Sequence, residues 1–85
     1  MTARDLSDYL DYLSHTIARY IISFPSDTIF HIPVPARIFS SFDAQFLRIS
    51  VATISDTLRR YHGIHQPYRV CYESISKEVW VALVL

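Results

Sequence analysis

Ala44-Gln-Phe-Leu-Arg-Ile-Ser-Val-Ala-Thr-Ile-Ser-Asp-Thr-Leu-Arg-Arg-Tyr61 is the stretch whose reading decides the fold. It divides naturally into a short helix, a tight turn at Arg48 to Ser50, and a second amphipathic helix from about Val51 to Tyr61. Ser50 serves as the cap of that second helix, Ile54, Leu58 and Tyr61 form its buried stripe, and Gly63 ends it. Upstream, Pro35 opens a helical segment somewhere within residues 36–47, its missing amide costing little in a first turn.

The flanks supply the other elements. Leu6, Tyr9, Leu10, Leu13, Ile17, Tyr20, Ile21 and Phe24 recur at helical spacing, so the first helix is amphipathic. Thr2 caps it, Asp5 supports the cap from the first turn, and Pro25 with Ser26 and Asp27 stops it. Tyr12 and Ile22 lie off the stripe. Residues 28–32 form a short strand which Pro33 and Pro35 confine to a sheet edge. Residues 68–73 and 78–84 are β-branched and aromatic, and the polar segment 74–77 joins them as a hairpin. The last strand is apolar throughout after Glu78, so both its faces are expected to be covered, in part by a second copy of the chain.

Composition bounds the function. Eighty-five residues make one domain, 51% of them hydrophobic and only one of them Gly, which is a folded composition. The single cysteine, Cys71, forms no internal disulfide framework. No apolar run approaches the roughly 20 residues that cross a bilayer, and the N-terminus resembles no secretion signal. The reading is a cytoplasmic, intracellular protein without membrane contact. Net charge is zero, yet residues 1–34 carry an excess of two acids and residues 35–77 an excess of three bases. That asymmetry allows a basic face without requiring one.

Catalytic and metal chemistry find little footing. His62-Gly-Ile-His65 invites a metal, but zinc needs three or four convergent ligands and the remaining His15, His31 and Cys71 show no supporting spacing. Cys71 has no positioned base or oxyanion loop, and no Gly-rich phosphate loop exists. The expectation is no enzyme, no catalytic residue, no metal and no cofactor.

The order helix, strand, helix, helix, strand, strand resembles that of a winged helix-turn-helix domain. The segment Ala44-x-x-Leu47-x-Ile49-Ser50-x-x-Thr53-Ile54-x-x-x-Leu58 is similar to the Ala-x-x-Leu-Gly-Val-Ser-x-x-Thr-Val-x-x-x-Leu pattern of small bacterial, archaeal and phage repressors. Arg48 stands where that pattern has a Gly, a position that takes positive φ. The resemblance implies an α+β winged-helix domain over residues 1–85, with the helix-turn-helix at about 40–61 and the wing hairpin at about 68–84. It further implies a homodimeric transcriptional repressor that reads duplex DNA with the 51–61 helix. Ser50, Val51, Ala52, Ser55, Asp56 and Arg59 would face the groove, while Arg48, Arg60, Ser74, Ser76 and Lys77 would hold the phosphate backbone.

A second reading is a protein-interaction module, such as a small phage or mobile-element inhibitor of a host complex. It would bind a protein partner through the first helix or the open sheet. The arginines decide between the two. One positive face beside the hairpin favours DNA, whereas pairing with Asp43, Asp56 or Glu73 favours a protein partner.

Overall fold

The computed structural model describes residues 3–24 and 28–84. Helix α1 (Ala3–Ser23) leads to strand β1 (Ile29–Pro33) and a 3-10 turn, η1 (Ala36–Ile38). Helix α2 (Ala44–His62) follows, then the hairpin of β2 (Tyr68–Glu73) and β3 (Glu78–Leu83). The chain is therefore α+β, with two α-helices and a three-stranded antiparallel sheet in the order β1-β3-β2. Thr2, Pro25, Ser26 and Asp27, read as the bounds of the first helix, lie outside the described residues.

Helix α2 is where structure and sequence reading part. It runs without interruption through Arg48, Ile49 and Ser50, so the turn expected there is absent and the helical segment expected within 36–47 divides into η1 and the first turn of α2. The cap lies seven residues earlier. Asp43 has an extended backbone, and its Oδ1 accepts from the Phe46 amide at 2.7 Å. Ser50 is instead a buried mid-helix residue whose hydroxyl donates to the Phe46 carbonyl at 2.8 Å. Arg48 is helical, and among the described residues Lys77 in the hairpin turn is the non-glycine residue that takes positive φ, 57°. Gly63 ends α2 as expected, at φ 63°, its amide returning to the Arg59 and Leu58 carbonyls.

One stripe explains the continuous helix. Leu47, Ser50, Ile54 and Leu58 are all buried at spacings of three, four and four residues, across the point where a break was expected. Ile49 and Tyr61, assigned to the turn and the buried stripe, are instead 66% and 73% exposed. Their positions point away from the sheet.

Both helices pack on one face of the sheet. Tyr9, Leu13, Ile17 and Ala18 of α1 meet Phe30 and Ile32 of β1, Val79, Val81 and Leu83 of β3, and the α2 stripe. Tyr20 stacks on Phe30 with centroids 4.7 Å apart, which seats α1 over β1. Tyr68, Val70 and Tyr72 turn their inner faces toward the same core. Phe42, between η1 and α2, touches Tyr9, Phe46 and Tyr72 at 5.3, 5.5 and 5.2 Å.

Tyr9 ties α1 to the end of β1, its hydroxyl donating to the Pro33 carbonyl at 2.9 Å. Burial first, then the neighbouring Tyr12 and Tyr72, pushes this phenol well above its ordinary 10.0. The unfolded chain ionises Tyr9 from about pH 10, while the folded chain holds the proton to higher pH. Stability from this group is thus full below pH 10 and is lost as pH rises toward the folded value. Urea midpoints between pH 9 and 11 should fall less steeply for Tyr9→Phe than for the native chain, by up to about 1.4 kcal/mol per pH unit. Equal slopes would show that Tyr9 ionises alike in both states.

Candidate functional site

The outer face of the sheet is built from alternate residues of three strands. Because β1, β3 and β2 bury Phe30, Ile32, Val79, Val81, Val70 and Tyr72 inward, the intervening residues must point the other way. Register places His31 and Cys71 on either side of Trp80, and Ile29 and Arg69 on either side of Ala82. Neither helix packs there. Within one chain, β3 therefore has one face covered by the helices and one that they leave open.

Trp80 organises this open face. Its ring lies flat on His31, with centroids 4.6 Å apart and planes 3° from parallel. Its indole N–H donates to Glu78 Oε1 at 3.3 Å, and the same oxygen lies 3.8 Å from His31 Nδ1. Glu78 thus fixes both rings from one end. Beside them, Ile29, Arg69, Cys71, Trp80 and Ala82 line an open concavity of about 340 Å³, with Ile29 59% exposed. An aromatic and aliphatic floor with a charged rim is suited to a protein surface.

The residues expected to read DNA are distributed differently. Ala52 is exposed, but Val51 is half-buried and faces β2. Ser55 Oγ and the Tyr68 hydroxyl share a hydrogen bond of 2.7 Å. Burial raises the Tyr68 phenol, while that bond and then the Arg59 charge act the other way. Ser50 is buried and bonded within its own helix, and so is not available to a partner. Asp56 Oδ1 draws in both Arg60 Nε at 3.1 Å and Arg59 Nη2 at 3.7 Å. Arg48 donates to Gln45 Oε1 at 2.7 Å. Ser74 and Ser76 are exposed in the hairpin turn, and the Lys77 ammonium sits 5.4 Å from the Phe39 ring centroid. Of these cations Arg59 and Arg60 are ion-paired, with Asp56, whereas Arg48 and Lys77 meet an uncharged amide and a ring.

The histidines are also dispersed. His62 Nε2 shares a 2.8 Å hydrogen bond with His15 Nδ1 across the two helices, rather than converging with His65. His15 Nε2 lies 3.5 Å from Asp11 Oδ1. Among the described residues no group of three or more His, Cys, Asp or Glu side chains is placed to hold a metal ion. No helix there is long and apolar enough to cross a membrane. Comparison with protein-family models, curated proteins and solved structures finds no match to this chain.

Sequence reasoning named the open sheet as one surface for a protein partner but none of its outer-face residues. Their signal was present in the alternation of Ile29, His31 and of Trp80, Ala82 with buried neighbours, but an apolar strand does not reveal which face the helices will leave bare.

Proposed function

We propose that the chain is a protein-interaction module that docks a protein partner on the outer face of its sheet. The observation that carries this reading is the flat Trp80–His31 stack in the middle of a sheet face that neither helix covers. Zero net charge supports it, as does the pairing of Arg59 and Arg60 with Asp56, which offsets the positive charge at the end of α2. A Trp such as Trp80 on an apolar floor is a residue type enriched among the hot spots of protein interfaces.

The element order supports a second reading, a homodimeric winged-helix repressor with duplex DNA as partner. That reading would now put its turn at residues 39–43 and use the exposed side of α2, Ala52 and Arg59 included. Weighing against it are the buried Ser50, the engaged Ser55 and the carboxylate of Asp56 amid the arginines.

A mobility-shift series with pooled random duplexes at about 50 mM salt separates the two. The expected result is no retarded complex. A shift that weakens with salt and is reduced by Arg59→Ala would overturn the protein-docking reading. Conversely, Trp80→Arg should abolish retention of a protein partner in native purification without changing the melting temperature by more than a few degrees.

A further inference from the structure

The two edges of the sheet differ. Val34 donates to the Lys77 carbonyl and Val84 to the Pro67 carbonyl, which fixes the alternation of each ladder. On β1 the residues whose backbone groups face outward are Ile29, His31 and Pro33, and Pro33 has no amide to offer. On β2 they are Tyr68, Val70 and Tyr72, each with an N–H and a carbonyl directed away from β3. No proline lies within β2, and among the described residues no backbone partner occupies that edge. An open groove of about 550 Å³ runs along it, with Ala44, Arg48 and Val51 of α2 on one side and Val70 and Tyr72 on the other.

From these features we infer that two copies of the chain pair antiparallel through β2, joining their sheets into one of six strands. The charges select the register. Arg69 is exposed and has no polar partner among the described residues, whereas every other described arginine has one. Glu73 stands opposite Glu78 across the hairpin; its Oε1 accepts from the Ile75 amide at 2.9 Å, and among the described residues no cation pairs with it. Helices stay on one side of the joined sheet only if inward residues pair with inward residues. Of the registers that allow this, centring the two-fold axis on Cys71 sets Arg69 of each copy opposite Glu73 of the other.

That register also satisfies the backbone. It pairs Val70 with Tyr72 of the second copy, and these are residues whose N–H and carbonyl groups already face outward. Arg69, Glu73 and Cys71 then fall at non-hydrogen-bonded positions, where opposed side chains are closest. Cys71 meets its own copy at a Cα separation of roughly 4.5 Å, within the range a disulfide can bridge. Arg69 and Cys71 also line the outer-face concavity, so the dimer is judged by mass, and the docking reading by Trp80→Arg, which leaves β2 unchanged.

Sedimentation equilibrium of the full chain should give about twice the 9.9 kDa protomer mass. Arg69→Glu and Glu73→Arg should each weaken the dimer by at least about tenfold, because like charges then lie opposite each other. The double exchange Arg69→Glu with Glu73→Arg should restore it. Diamide, which oxidises two thiols to a disulfide while itself reduced to the hydrazine, should trap a covalent dimer that Cys71→Ser cannot form. Circular dichroism of each variant verifies that the substitutions leave the protomer folded. A native chain that stays at protomer mass overturns the inference, and so does a dimer indifferent to both single charge reversals. The duplex and partner-retention experiments use a native β2, so the two readings fail on different measurements.

Discussion

Proline in place of Ile49 should cost the domain about 3 kcal/mol or more. The side chain itself matters little, since it is 66% exposed and packs outside the core. The backbone is what counts. Residue 49 is the sixth of α2, so its amide belongs to the helical ladder and a pyrrolidine ring would press on the carbonyl four residues earlier. For a domain of this size the loss corresponds to a fall in melting temperature of roughly 12 to 24 °C. Ile49→Ala is the control and should stay within about 0.5 kcal/mol of the native chain. Urea unfolding followed by Trp80 fluorescence measures both. A mild effect of the proline would restore the turn at Arg48 to Ser50. In that case Ser50→Ala should carry a capping cost of about 1 kcal/mol and Asp43→Ala almost none. The continuous helix requires the reverse order.

Much of the architecture can be read from periodicity because burial obeys it. The α1 stripe of Leu13 and Ile17, the proline-bounded edge strand and the 68–73 and 78–83 hairpin all follow from spacing and turn chemistry. Gly63 does too, as a left-handed residue at the end of a helix. The error at Ser50 has a definite physical origin. Serine and aspartate compete for the same capping role, and a hydroxyl can equally bond back to its own helix. Arg48-Ile49-Ser50 contains no glycine or proline, so nothing in it compels a break, and the spacing of Leu47, Ser50, Ile54 and Leu58 continues through it. A fifteen-residue resemblance pointed the other way. The site was less legible still. The Trp80–His31 stack joins residues 49 positions apart in sequence, and Ser55 meets Tyr68 from another element, pairings that only the assembled sheet and helices determine. The neutralisation of Arg60 by Asp56 could have been read from their spacing of four.

Phe42→Ala should be the most destabilising single truncation outside a helix or strand, at about 3 to 5 kcal/mol. Phe42 is 1% exposed and heads the fully buried side chains by volume. It belongs to no regular element, yet it contacts Tyr9 of α1, Phe46 of α2 and Tyr72 of β2. All three of those elements therefore face the cavity its loss would leave. None can close it alone, because Tyr9 is held to the Pro33 carbonyl and the Phe42 amide is held to the Ile38 carbonyl at 2.9 Å. Its edge-on contact with Tyr9 contributes beyond buried area, in the order of 0.5 to 1.5 kcal/mol. Phe42→Leu keeps most of the apolar volume and should cost clearly less than the alanine, so the pair separates cavity formation from loss of ring contacts. The two variants should share one slope of unfolding free energy against urea and differ in midpoint. A small loss for Phe42→Ala would mean that residues 39–43 collapse onto the core without it, and that Asp43 caps α2 without this anchor. A large one makes Phe42 the residue that holds the start of α2 against β2, and with it the wall of the groove beside the free strand edge.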